Sequence, residues 1–155
     1  MKAIYWTIAA ASFACAELVH AGINDPEVII YRGAGVVDTG GGDFSGNATA
    51  FHCTNFSGVN ENIRFVLRNS NGGLLANTAF TVPHLNTGTV VTKQTGLFAH
   101  NSNLNTGVVQ QGTVAIAATS INVTCTAMLV QASTNNPEGI RLHMTRFNPI
   151  PATQE

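Results

Sequence analysis

Apolar and polar residues alternate along several short stretches of the chain. Between Ile121 and Leu129 the odd-numbered positions are apolar and the even-numbered positions are mostly polar. Ile63, Phe65 and Leu67 likewise alternate with the residues between them. A period of two residues is the signature of a half-buried β-strand. No stretch sustains a helical period, so the pattern predicts an all-β chain.

Turn-forming residues divide this pattern into about eight short strands. The sequence Asn69-Ser70-Asn71-Gly72-Gly73 favours a hairpin, and residues 135–139 form a second turn signal. The predicted strands cover residues 28–32, 50–54, 63–67, 74–82, 89–93, 112–119, 121–130 and 140–147. Strands of this length separated by turns predict an antiparallel β-sandwich of two sheets.

The alternation also predicts which side chains face the core. Each of them is an apolar residue or a cysteine on the inward side of a predicted strand. The predicted core contains Phe51, Cys53, Ile63, Phe65, Leu67, Val114, Ile116, Val123, Cys125 and Leu129.

The first residues predict export. Lys2 precedes an apolar run over residues 3–16, and Val19-His20-Ala21 offers a signal-peptidase site. We therefore expect a secretory signal at residues 1–21 and one domain at residues 22–155. A lipid anchor at Cys15 is an alternative. The apolar run is too short to span a bilayer, and no later stretch has 18 consecutive apolar residues, so we expect no membrane insertion.

Charge is sparse and nearly balanced. Without Lys2 and Glu17, the remaining chain has six Lys and Arg against seven Asp and Glu, and no block of like charge occurs. Phosphate backbones are bound by clustered Lys and Arg, so the sequence predicts no nucleic-acid partner.

Cys53 and Cys125 are the two cysteines beyond residue 21. In an exported chain an even pair predicts a disulfide, and two free thiols or a metal pair are the alternatives. A crosslink between these positions encloses about 70 residues, for which chain entropy predicts about 4 kcal/mol of stabilisation.

The separation of Cys53 and Cys125 resembles that of the two cysteines that join the sheets of immunoglobulin domains. Phe65 stands about where those domains carry a buried tryptophan. There is no tryptophan after residue 6, and Val123 occupies the position of their conserved tyrosine. The resemblance in spacing and strand count therefore implies an immunoglobulin-like architecture and no function.

The motif Asp38-Thr39-Gly40 after Val36-Val37 resembles the catalytic loop of retroviral-type aspartic proteases. Such enzymes pair one aspartate from each of two loops to activate a water molecule. A single copy in a chain of this length implies a homodimeric site. The alternative is a glycine turn in which Asp38 and Thr39 cap their own backbone, and the following Gly41 and Gly42 are typical of such a turn.

The sequence gives little indication of a metal, cofactor or sugar-binding site. The histidines beyond the signal, His52, His84, His100 and His143, show no metal-ligand spacing, and we expect no metal and no cofactor. A sugar platform is not expected, because Tyr31 is the single Tyr or Trp of residues 22–155. Glycosylation sequons begin at Asn47, Asn55 and Asn122.

These observations favour a secreted, non-catalytic module with a structural, adhesin-like or protein-binding role. A surface with few charges loses little hydration free energy when two copies associate side by side. Uncovered edge strands can also pair with another chain. We expect a protein or cell-surface partner, or self-association. The homodimeric protease built on Asp38 is the alternative function.

Overall fold

A computed structural model of the chain describes residues 27–134 and 139–147. This part is all-β and consists of two five-stranded sheets packed as a sandwich, which confirms the predicted fold class. The predicted signal at residues 1–21 lies outside the described residues. Within the described ranges there is no helix with the length and hydrophobicity needed to cross a membrane.

Ten strands build the two sheets. They are β1 (Val28–Asp38), β2 (Asn47–Asn55), β3 (Glu61–Asn69), β4 (Leu74–Val82), β5 (Thr87–Val91), β6 (Ser102–Asn103), β7 (Val109–Ala118), β8 (Val123–Gln131), β9 (Gly139–Leu142) and β10 (Met144–Arg146). Sheet A has the order β10-β1-β7-β3-β4, and sheet B has the order β6-β5-β2-β8-β9. Neighbouring strands are antiparallel except β5 and β6, which are parallel.

The core lies between the sheets and is centred on Phe51 of β2 and Phe65 of β3, whose rings are 5.8 Å apart. Nine of the ten predicted core residues are buried. Leu129 is the exception and is half-buried. It lies between Thr49 of β2 and Ile140 of β9 near the end of β8, where it lines a surface cavity.

The outer face of sheet B carries a second, smaller apolar cluster. Leu97 and Phe98, in the segment between β5 and β6, pack over Ala48, Ala50 and Val130. Both faces of β2 are therefore buried in this region. This cover explains why Val130 is buried although the alternating pattern points it towards solvent.

Cys53 and Cys125 form the predicted disulfide, but within one sheet. They are directly opposite residues of the neighbouring strands β2 and β8, with Cα atoms 4.2 Å apart. The immunoglobulin resemblance implied a bridge between sheets. That implication is wrong, because two cysteines 72 residues apart can also meet across one antiparallel strand pair.

Most predicted strand ends differ from the structure by one to three residues, and two predicted strands differ by more. The single strand predicted at 140–147 divides at His143 into β9, in sheet B, and β10, in sheet A. Leu142 and Met144 both pack against the core, so the chain crosses from one sheet to the other at this point. Strand β1 continues to Asp38 instead of ending at residue 32, because its pairing with β7 resumes beyond a register shift at Gly35, which has a positive φ of 85°.

Candidate functional site

The end of β1 forms a buried polar corner between the two sheets. The Val37 amide donates a 2.8 Å hydrogen bond to Oγ1 of Thr49, and that hydroxyl donates to the Val37 carbonyl at 2.9 Å. The Thr49 amide in turn donates to Oγ1 of Thr92 at 3.0 Å. These bonds tie β1 of sheet A to β2 of sheet B and leave the next residue, Asp38, inside the protein.

Asp38 forms an ion pair with Lys93. The Lys93 Nζ is 2.8 Å from Oδ1 of Asp38, and both residues are at least 95% buried. The same ammonium group donates to the carbonyl of Gly40 and, at 3.1 Å, to the carbonyl of Ser45. Three oxygen atoms thus serve the three N–H donors of a lysine ammonium group.

The predicted catalytic motif Asp38-Thr39-Gly40 adopts a tight turn. Oδ1 of Asp38 accepts a 2.9 Å hydrogen bond from the Gly40 amide, and Oγ1 of Thr39 accepts one from the Asn47 amide. Gly40 has a φ of 76°, and a Cβ atom there would lie 2.8 Å from Val108. Glycine is the residue that tolerates both conditions. These contacts match the alternative in which Asp38 and Thr39 stabilise their own loop.

An aspartic protease dyad needs a second carboxylate at hydrogen-bond distance from the first, so that the two share one proton. Beside Asp38 the charged partner is the ammonium group of Lys93. The contacts of Asp38 and Lys93 with Gly40 and Ser45 anchor the loop 39–46. The arrangement supports a structural role for Asp38, and the catalytic alternative stays an untested prediction.

The four histidines of the described residues are not brought together. His52 is half-buried on the outer face of sheet B, with Nδ1 3.0 Å from Oγ1 of Thr89 and its ring edge-on to Phe98. Burial lowers the pKa of His52 below its ordinary value. His84, His100 and His143 are exposed. No group of three or more His, Cys, Asp or Glu side chains suited to a metal occurs in the described ranges.

The three sequon asparagines have different environments. Asn47 and Asn122 are exposed, whereas Asn55 is fully buried. The Asn55 amide nitrogen donates to the carbonyls of Val59 and Val82 at 2.7 and 2.8 Å. That nitrogen is the atom to which a glycan would be attached, so Asn55 in the folded chain serves as a structural crosslink.

Strand β4 forms one edge of sheet A and is the longest edge strand of the described fold. It has nine residues, whereas the other edge strands β10, β6 and β9 have three, two and four. Its sequence, LLANTAFTV, contains no charge and no proline. The side of β4 that faces away from β3 therefore presents backbone N–H and C=O groups that no described strand pairs, although the Val82 carbonyl at its end accepts a hydrogen bond from Asn55.

A cleft of about 400 Å³ lies beside this edge, between the two sheets. Phe80, Thr81 and Val82 line it from β4, and the β5 segment 87–90 lines it from sheet B. Ile63 and Phe65 also line it. The cleft thus places a depression with both apolar and polar side chains, among them Thr87 and Thr89, directly next to the free hydrogen-bonding edge.

The sequence predicted the β4 strand but not its position at an edge. Strand order depends on pairings between distant segments, such as β3 with β7, which a local pattern does not specify. The absence of Lys, Glu and Pro from nine consecutive residues of a strand was the available signal, because these residues commonly protect edges.

Comparisons with known proteins add no family to these observations. No family model matches the sequence, and no curated protein and no solved structure shows significant similarity to it. Function is therefore inferred from the residues themselves.

Proposed function

We propose that this chain is a secreted, non-catalytic β-sandwich module that associates with another protein strand through β4, in a structural or adhesin-like role. The observation that carries the proposal is the nine-residue uncharged edge of β4. Edge strands of monomeric proteins are usually short, charged or covered, because an open edge pairs with other chains. An open edge of this length is typical of a surface that receives a partner strand.

The cleft beside β4 supports the same function. In strand addition, backbone hydrogen bonds supply affinity, and pockets for alternate side chains supply specificity. A strand paired to β4 would direct every second side chain towards the cleft near Phe80 and Val82. A second copy of this chain is the partner that we propose, because two β4 strands carry no like charges that would repel each other.

Export is part of the proposal. The Cys53–Cys125 disulfide is typical of proteins that fold in an oxidising compartment. The Lys2-led apolar segment at the N-terminus has the composition of a signal sequence. Together they support a location at the cell exterior or in the periplasm.

The test is the solution mass of the secreted chain, residues 22–155, by light scattering after size-exclusion chromatography at several concentrations. We expect mass to rise with concentration. Thr81→Lys, at an exposed position of β4, should hold the chain as a monomer, because an edge lysine opposes strand pairing. Thr126→Lys makes the same change at an exposed position of β8, which has a neighbouring strand on both sides, and should behave as wild type. A wild type that stays monomeric, or equal effects of both variants, would contradict the proposal.

The protease alternative predicts a different result. It requires a discrete dimer that cleaves peptides and loses this activity in Asp38→Ala. Our proposal expects no peptide cleavage by the associated wild-type protein, measured with a peptide library from about pH 2 to about pH 7, which includes the range in which an aspartic dyad shares one proton.

A further inference from the structure

The outer face of sheet A carries small side chains between arginines. Across strands β1, β7 and β3, two successive outward rows are Arg32–Ala115–Val66 and Ala34–Thr113–Arg68. No apolar segment of the described chain covers this face, in contrast to sheet B, which Leu97 and Phe98 cover. The two arginines therefore stand at opposite corners of a shallow, open trough.

The arginines of this face differ in their partners. Arg64 binds Glu27 through a hydrogen bond and an ion pair, and these contacts raise the pKa of its guanidinium group. Arg32 lies 5.7 Å from the ring of Phe147, and Arg68 donates to the carbonyl of Gly72 at 2.9 Å. Within residues 27–134 and 139–147, neither Arg32 nor Arg68 has a carboxylate partner.

The trough forms a cavity of about 540 Å³. Its lining includes both unpaired arginines, His143, and the hydroxyl-bearing residues Thr113 and Thr145. No described acidic residue lines it: the four in the described ranges are Glu27, Asp38, Asp43 and Glu61. Glu27 and Asp38 are used in ion pairs, Asp43 contacts Gln94 and Asn103, and Glu61 is buried against Thr119. The cavity thus combines small apolar side chains with N–H and O–H donors and positive charge.

We propose that this trough is a binding site for a small ligand that carries oxyanion groups, such as a polycarboxylate or a phosphate ester. A guanidinium group presents a planar fork of N–H donors that matches two oxygens of a carboxylate, sulfate or phosphate. The Cα atoms of Arg32 and Arg68 lie two strands and two residues apart, which corresponds to about 12 Å. Two long side chains can approach one ligand from both ends of such a gap, while Ala115 and Val66 form an apolar floor beneath it.

The site is independent of the β4 edge. Arg32 and Arg68 lie on β1 and β3, and the association surface proposed above is the far side of β4. Loss of oxyanion binding therefore leaves the solution mass of the protein unchanged, and loss of association leaves the trough intact.

The test is a titration of residues 22–155 with citrate, inorganic phosphate or sulfate, followed by backbone amide NMR shifts. Chloride replaces the added anion so that ionic strength stays constant, because screening alone alters surface charge effects. We expect saturable shifts in segments 32–34, 66–68 and 113–115. Arg32→Gln and Arg68→Gln should each weaken binding by about tenfold, the usual loss for a charge-assisted hydrogen bond.

Arg141→Gln is the matched control, since Arg141 is an exposed arginine of β9 in sheet B. Binding should be unchanged in this variant. Arg32→Lys keeps the charge but removes the fork, and we expect weaker binding than in wild type. Saturation by citrate only identifies a carboxylate ligand, whereas saturation by phosphate or sulfate as well identifies general oxyanion recognition. Shifts that never saturate, or equal losses in Arg141→Gln and Arg32→Gln, would overturn the proposal.

Discussion

Nζ of Lys93 lies 2.8 Å from Oδ1 of Asp38, and the two residues close the corner where β1 leaves sheet A. The lysine also holds the carbonyls of Gly40 and Ser45, which stand at the two ends of the glycine-rich loop. One buried cation therefore fixes the aspartate and both sides of the loop. The contacts of the Asp-Thr-Gly motif should therefore contribute to the free energy of unfolding, which can be measured.

Replacement of Lys93 by Met should lower the free energy of unfolding by about 3–5 kcal/mol, because removal of one partner leaves a buried, unpaired charge. Urea denaturation at neutral pH measures this loss. The double variant Lys93→Met/Asp38→Asn should recover part of it, since the unpaired carboxylate is then absent. A loss below about 1 kcal/mol, the value of an exposed ion pair, would show that Asp38 and Lys93 are not paired in the folded protein.

The cross-strand disulfide should stabilise the sandwich by restricting the unfolded chain. Cys53 and Cys125 are 72 residues apart, and a loop of this size corresponds to about 4 kcal/mol. The double variant Cys53→Ala/Cys125→Ala should melt well below the oxidised wild type in calorimetry. Reduced wild type is the companion measurement, and it should melt close to the double variant. Equal melting temperatures for oxidised wild type and the double variant would contradict the disulfide's stabilising role.

The stability of the protein should depend on the side-chain amide of the buried Asn55. Asn55→Asp replaces the nitrogen that donates to the Val59 and Val82 carbonyls with an oxygen that repels them. We expect the free energy of unfolding to fall by about 3 kcal/mol or more, as for an unsatisfied charged group in a protein interior. Asn122→Asp is the same change at an exposed sequon and should alter stability by less than about 0.5 kcal/mol. Similar losses in the two variants would mean that Asn55 is not buried as described.

His52 should give the protein part of its pH dependence. Its pKa in the folded state is lowered from 6.5 by burial, so the unfolded chain takes up a proton first as pH falls. The stabilisation from neutral His52 is therefore complete above pH 6.5 and is lost as pH falls below that value towards the folded pKa.

The test compares urea unfolding at about pH 8 and about pH 5, either side of an unperturbed histidine. Wild type should lose more stability over this interval than His52→Gln. The exposed His100→Gln should retain the wild-type loss. An identical pH dependence in wild type and His52→Gln would refute the effect of burial.

Local alternation was enough to predict the inward faces of the strands. Ile63, Phe65 and Leu67 are buried because β3 has one face on the core and one towards solvent, the situation that a period of two describes. The same rule failed at Val130, where the Leu97–Phe98 segment covers the outer face of sheet B. Burial there depends on a contact between segments about 30 residues apart, which a local pattern does not contain.

The sequence indicated Asp38 as a candidate site residue but did not predict its ion pair with Lys93. Lys93 is 55 residues away along the chain and was predicted only as the end of a strand. The free edge of β4 and the trough between Arg32 and Arg68 likewise depend on strand order. Both proposed binding surfaces therefore depend on the strand order of the sheets. The sequence contains their residues but does not predict that order.

The most direct test of the central claim is hydrogen–deuterium exchange of the β4 amides in dilute and in concentrated solutions of residues 22–155. Association through this edge predicts that exchange slows in Leu74–Val82 as concentration rises, because the free N–H groups gain hydrogen-bond partners. Thr81→Lys should abolish this change, and Thr126→Lys should leave it intact. Exchange in β4 that is independent of concentration, or protection confined to β9 or β10, would contradict the claim.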